Sequence, residues 1–95
     1  VLAFYGLSFK ANIDDLRESP ALNIVRRVSK FHSGRVIAVE PNIKTLKSSD
    51  NIMLVEKEFA DKEADIAILL VDHDEFKASG PPNVEIIFDT KGIWS

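Results

Sequence analysis

Cysteine is absent from this 95-residue chain. Its absence removes disulfides, thiolate-bound zinc and a cysteine nucleophile from anything the chain does by itself. Glycine is scarce, with four residues in all, and only Gly6 falls in the first loop. The Gly-x-Gly-x-x-Gly phosphate cradle of dinucleotide-binding turns is therefore missing. No apolar run reaches the roughly 18 residues that would suggest a membrane span, and no basic-then-apolar leader opens the chain. An excess of positive charge is missing too. The 12 Lys and Arg against 15 Asp and Glu give a formal net charge of -3. This argues against a general nucleic-acid binder, which would carry a basic face. It leaves room for a local basic pocket. An initiator Met is also absent. The chain begins at Val1 inside a strand-like run and reads as part of a longer polypeptide.

What is present is ordinary for a folded domain: 45% hydrophobic and 28% charged residues. The length suits one domain near the low end of the usual range. A chain this short buries only about 60–65% of the surface its unfolded form exposes, so it holds one modest core.

The hydrophobic pattern alternates short strands with helical segments. Val1 to Tyr5 is an apolar run ending at Gly6, as in a buried parallel strand. Ser19-Pro20 then reads as a helix start, with Ser19 at the N-cap and Pro20 at the first helical position. Ala21, Leu22, Val25, Val28 and Phe31 form the apolar stripe of that helix, and Gly34 is expected to stop it. Arg35 to Val39 is a second strand, ended by Glu40-Pro41. The polar stretch 43–50 reads as a loop with a helical turn. A short third strand is expected at 52–55, a short helix at 56–63, the strongest strand from Ile66 to Val71, another short helix at 73–78, and a last strand at 85–89. This order implies βαβ crossovers and a parallel sheet covered on both faces. The fold class is α/β, a Rossmann-like, three-layer, doubly wound and mostly parallel sheet of about five strands.

In such sheets ligands bind at the carboxyl ends of the strands. The loop 6–18 leaves the first strand and is longer than the usual βα connection of about 2–6 residues, which favours a functional role. It carries Lys10 and Arg17 toward a helix N-terminus, where anions are favoured. Arg17 suits a phosphate or carboxylate, or it pairs with Asp14, Asp15 or Glu18. Lys91 follows the last strand on the same edge. It can join Lys10 at an anion or remain a solvated turn lysine. Glu40 stands where dinucleotide folds place a ribose-binding acid. Without the glycine fingerprint, a structural turn is the better reading. Asp72, His73, Asp74 and Glu75 form an acidic cluster after the strong strand. The cluster suits a metal site or an acid–base pair, but the better reading has Asp72 capping the following helix, with Asp74 and Glu75 complementing its dipole. His32 reads as a structural helix end. Trp94 packs on the sheet or against protein outside this chain.

These residues also resemble a known family. Gly-Leu-Ser-Phe-Lys-Ala-Asn-Ile-Asp-Asp-Leu-Arg-Glu-Ser-Pro-Ala, residues 6–21, resembles the G-L-x-F-K-x-N-T-D-D-x-R-E-S-P-A signature of the UDP-glucose/GDP-mannose dehydrogenase family, in its C-terminal domain. Val39-Glu40-Pro41 resembles that family's Asp-Pro or Glu-Pro strand ending. Phe88-Asp89-Thr90-Lys91-Gly92-Ile93-Trp94 is similar to its terminal D-x-[RK] segment, in the form seen in the enzymes that act on UDP-N-acetylmannosamine. Ile13 departs from the family's usual Thr.

The resemblance implies that residues 1–95 are a single UDP-sugar-binding, C-terminal domain and a fragment of a longer enzyme. That enzyme would be a cytoplasmic, NAD-dependent UDP-sugar 6-dehydrogenase. It would oxidise the sugar C6 alcohol to a uronate for surface polysaccharide synthesis, with two NAD consumed per turnover. The expected substrate-binding residues are Phe9, Lys10 and Lys91, and Arg17 would reach toward NAD. NAD itself would be bound mainly by a preceding domain, and the catalytic cysteine would also lie elsewhere. This chain would therefore contribute no catalytic residue and no metal ligand. Partners implied are the UDP-sugar, the remaining domains of the polypeptide and further copies in a homo-oligomer, with no nucleic acid and no membrane. An alternative is a stand-alone nucleotide-binding or regulatory module. A receiver-like signalling domain fits poorly, because Tyr5-Gly6 stands where that fold needs an acidic pair.

Overall fold

A computed structural model describes residues 1–8, 19–41 and 52–94. Five strands alternate with three helices: β1 (Leu2–Tyr5), α1 (Pro20–Phe31), β2 (Val36–Val39), β3 (Met53–Leu54), α2 (Lys57–Glu63), β4 (Ile66–Leu69), α3 (Asp74–Ser79) and β5 (Ile86–Asp89). All neighbouring strands are parallel, in the order β3-β2-β1-β4-β5. The sequence reading of a doubly wound sheet holds. The strands are shorter than the apolar runs suggest, and β3 keeps only two residues. The expected loop at 43–50 lies outside the described residues.

Side-chain alternation explains the three layers. On one face Ala3, Tyr5, Ile37, Val39, Ala67 and Leu69 pack against Ala60 of α2 and Phe76 of α3. On the other, Phe4, Val36 and Ala38 pack against Leu22 and Val25 of α1. β1 and β2 are buried on both faces, as interior parallel strands should be. Burial falls away toward the β5 edge, where Ile86 and Phe88 remain about half exposed (46% and 57%).

Helix α1 starts as the sequence predicts. Ser19 is the N-cap, and its Oγ accepts from Leu22 N at 3.2 Å. Its end differs. The C-cap is His32, and Gly34 is not in a left-handed conformation. A Cβ on Gly34 would lie 2.7 Å from His32 Nε2, so the glycine makes room for the histidine ring rather than capping the helix. Trp94 packs on the sheet face. Its ring meets Tyr5 edge-on at 5.1 Å between centroids, and its indole N–H donates to Phe76 O at 3.0 Å.

Tyr5 is the one tyrosine in the chain. Its hydroxyl donates to Asp61 Oδ1 at 2.7 Å, and Asp61 also pairs with Lys57 at 2.8 Å. Burial, followed by the bond to Asp61 and the charge of Asp61, pushes the phenol pKa well above its ordinary value. The unfolded chain releases this proton near pH 10, and the folded domain holds it. The stability present below about pH 10 is therefore lost progressively as the pH rises above it. Phenolate absorbance should stay silent in the folded domain above pH 10 and appear only with unfolding, and Tyr5→Phe should flatten that pH dependence. A phenolate titrating near pH 10 while the fold persists would contradict this.

Candidate functional site

The strand order reverses between β1 and β4, so the crevice of this sheet opens at their carboxyl ends. Three connections meet there: the turn 6–8 after β1, Glu40-Pro41 after β2, and the segment 70–73 after β4. Gly6 N donates to Val39 O at 2.8 Å, and Leu70 N donates to Tyr5 O at 2.9 Å. These bonds extend the ladder past the strands and hold the loop roots side by side.

At their junction lies a buried polar cluster. Glu40 Oε1 accepts from Leu7 N at 2.8 Å and Ser8 N at 3.0 Å. The same oxygen is 2.8 Å from His73 Nε2, and Ser8 Oγ is 3.2 Å from that nitrogen. Ser8 and His73 are fully buried and Glu40 nearly so. Ser19 adds a further tie, since its Oγ donates to Leu7 O at 2.6 Å. A hydrogen-bonded carboxylate survives burial where an unpaired one would not.

The sequence reading had assigned these residues singly. Glu40 is indeed structural, but it is a clamp on the first turn rather than a turn residue of its own. Asp72 does not cap α3. The N-cap is His73, which makes no side-chain cap bond and turns its ring inward to Glu40 and Ser8. Asp74 and Glu75 do occupy the first turn of α3. No signal of spacing could pair Glu40 with His73. Only the strand order brings the ends of β2, β1 and β4 together.

The arrangement decides what this edge can hold. In a dinucleotide fold, the turn after the first strand offers N–H groups to pyrophosphate, the second strand offers an acid to ribose, and the helix N-terminus faces the anion. Here the N–H groups of Leu7 and Ser8 already bind Glu40. The acid is consumed by that bond. At α1, Pro20 has no N–H and Leu22 N is bound by Ser19. An NAD pyrophosphate therefore does not fit the turn 6–8. Among the described residues, the turn 6–8 therefore offers an anion no free backbone donor of this kind.

Lys91 is a cationic side chain on this edge. Asp89 ends β5, and its carboxylate accepts from Lys91 N at 3.0 Å, Gly92 N at 2.7 Å and Trp94 N at 2.7 Å. Thr90 Oγ1 donates to Leu69 O at 2.7 Å, tying this turn to the end of β4. Partial desolvation raises the Asp89 pKa, but the backbone N–H bonds outweigh it and leave the carboxyl below its ordinary value. Lys91 is exposed on the same carboxyl edge as Ser8. One strand, β4, separates β1 from β5, which places the two loop roots roughly 10 Å apart by strand spacing. Phe9, Lys10 and Arg17 lie outside the described residues. Phe9 and Lys10 follow Ser8 directly in the chain.

Comparison with known proteins identifies relatives of this chain. The family described as UDP-glucose/GDP-mannose dehydrogenase family, UDP binding domain, matches residues 3–95. An NDP-N-acetyl-D-galactosaminuronic acid dehydrogenase of Ralstonia solanacearum is 48% identical over 98 residues, covering 100% of this chain and 23% of its own length. A UDP-N-acetyl-D-mannosamine dehydrogenase of Salmonella typhi is 47% identical over 97 residues, covering 98% of this chain and 23% of its own length. The solved structure of the UDP-N-acetyl-mannosamine dehydrogenase of Staphylococcus aureus superposes with a TM-score of 0.78 at 28% identity, covering 97% of this chain and 22% of that one. The chain thus spans about a quarter of the length of these relatives.

Proposed function

This chain belongs to the UDP-glucose/GDP-mannose dehydrogenase family, as its UDP binding domain, and from that premise we propose that it is the C-terminal nucleotide-sugar-binding domain of an NAD-dependent UDP-N-acetylhexosamine 6-dehydrogenase, of the UDP-N-acetylmannosamine type. The enzyme would oxidise the sugar C6 alcohol to a carboxylate, in the cytoplasm, for surface polysaccharide synthesis. NAD supplies the hydride acceptor when bound, and it would be held mainly by a domain outside this chain. The closed turn 6–8 supports that division, since it has no place for a pyrophosphate. The role left to this edge is to hold the UDP end of the substrate through side-chain cations. Phe9 and Lys10 would contact the nucleotide sugar, Lys91 would approach the diphosphate from the β5 side, and Arg17 would reach across toward NAD. The intact enzyme would be a homo-oligomer.

Relatives of nearly equal identity, 48% and 47%, are named for different sugars. That is consistent with this domain reading the nucleotide and leaving the sugar to other residues. The observation that carries the proposal is the family match over residues 3–95. In the intact polypeptide, Lys10→Ala should weaken UDP binding by about ten- to a hundredfold, the worth of one charge-assisted bond. Lys91→Ala should weaken it less, and Lys91→Arg should retain it, because Arg keeps the charge and adds a planar fork. Calorimetric titration with UDP reads all three. Wild-type affinity in both alanine variants would overturn the assignment.

A further inference from the structure

We infer that Glu40 and His73 are positioning residues for nucleotide binding, because their buried pair fixes the turn 6–8, which Phe9 and Lys10 follow directly in the chain. The inference rests on the UDP-site reading above and adds to it two residues from other loops.

A buried pair of this kind gives direction more than stability. Desolvation makes it a poor source of stability, and well-packed apolar residues of similar volume often do as well or better. What it provides here is direction. One carboxylate oxygen takes two successive N–H groups, Leu7 and Ser8, which orients both peptide planes at the root of the first loop. His73 bonds the same oxygen at 2.8 Å and fixes where that carboxylate sits. His73 is itself held, since its carbonyl accepts from Phe76 N at 3.0 Å and Lys77 N at 3.3 Å at the start of α3. Its ring packs edge-on against Phe76 at 5.4 Å between centroids. The turn 6–8 is thereby tied to α3 and to β2.

The pair also removes a conflict. A carboxylate on the edge that receives a diphosphate would repel it. Turned inward, with backbone and imidazole donors on one oxygen, Glu40 occupies the place a phosphate takes in dinucleotide turns and directs the ligand outward to the lysines. Small misplacements of binding groups cost disproportionately, so loosening this root should be visible as lost affinity.

The test uses the intact polypeptide, with UDP as the probe. His73→Phe keeps the ring volume and cannot bond Glu40, whereas His73→Gln restores a donor. His73→Phe should weaken UDP binding about tenfold and raise KM for the nucleotide sugar, with a smaller effect on kcat. His73→Gln should recover most of the loss. Glu40→Gln, which keeps an acceptor oxygen for the two N–H groups but not the carboxylate charge, should fall between. Lys10→Ala is measured in parallel. If Lys10→Ala weakens UDP binding while folded His73→Phe and Glu40→Gln bind it like wild type, with only their melting points lowered, the pair is purely structural and the inference fails. If Lys10→Ala has no effect, the UDP-site reading fails and the inference falls with it.

Discussion

Replacing Glu40 with alanine is expected to destabilise the domain by about 3–5 kcal/mol. The change leaves Leu7 N, Ser8 N and the His73 imidazole without the acceptor that satisfies them, all in buried surroundings. Each buried donor stripped of its partner costs about 1–3 kcal/mol. A domain of this size has total stability toward the low end of about 5–15 kcal/mol, so the variant should be largely unfolded or nearly so at 37 °C. Thermal melting reads this as a fall of well over 10 °C, at about 4–8 °C per kcal/mol. Glu40→Gln should lose far less, because its amide oxygen still accepts the two N–H groups. A loss under about 1 kcal/mol for Glu40→Ala would mean that water replaces the carboxylate freely and that the cluster is not closed.

Gly6→Ala is the second large effect, expected at about 3 kcal/mol. Gly6 has φ +101°, where a side chain is strained. A Cβ there would also lie 2.5 Å from Val71 Cβ and 2.8 Å from Val71 N. Backbone strain costs about 1–3 kcal/mol, and overpacking costs a similar amount. Neither neighbour yields easily, since Val71 N is held near Tyr5 O at 3.4 Å and Gly6 N binds Val39 O. Because the clash is with Cβ and backbone, trimming the neighbour with Val71→Ala should not rescue the variant. Denaturant midpoints of the single and double variants check this. Recovery in the double variant would show that only the outer methyl groups conflict.

The two variants mark what the sequence shows and what it hides. Gly6 is legible as the end of an apolar run, and so are the strand pattern, the Ser19-Pro20 helix start and the acidic first turn of α3. These features are local: periodicity, caps and turn residues act within a few positions. What stays hidden is long-range. Glu40 lies 32 residues from Ser8 and 33 from His73. Each residue alone reads as a turn acid, a small polar residue and one member of an acidic cluster. Their meeting is a property of the order β3-β2-β1-β4-β5, which sets the ends of β2, β1 and β4 in adjacent positions. The error over Asp72 has the same origin. A local capping rule favours Asp, but the ring of His73 is drawn inward by a partner that only the fold supplies. The end of α1 shows a milder case, in which Gly34 is spared a side chain by the His32 ring and not by helix geometry.

The central claim is that the carboxyl edge of this sheet receives the nucleotide end of a UDP-sugar. Amide hydrogen exchange on the intact polypeptide, with and without saturating UDP, tests it most directly. The account predicts added protection in two separate peptides of this chain, one over residues 6–18 and one over residues 89–94, with strands β2 and β3 unchanged. Protection confined to other parts of the polypeptide, with neither peptide altered by UDP, would contradict it.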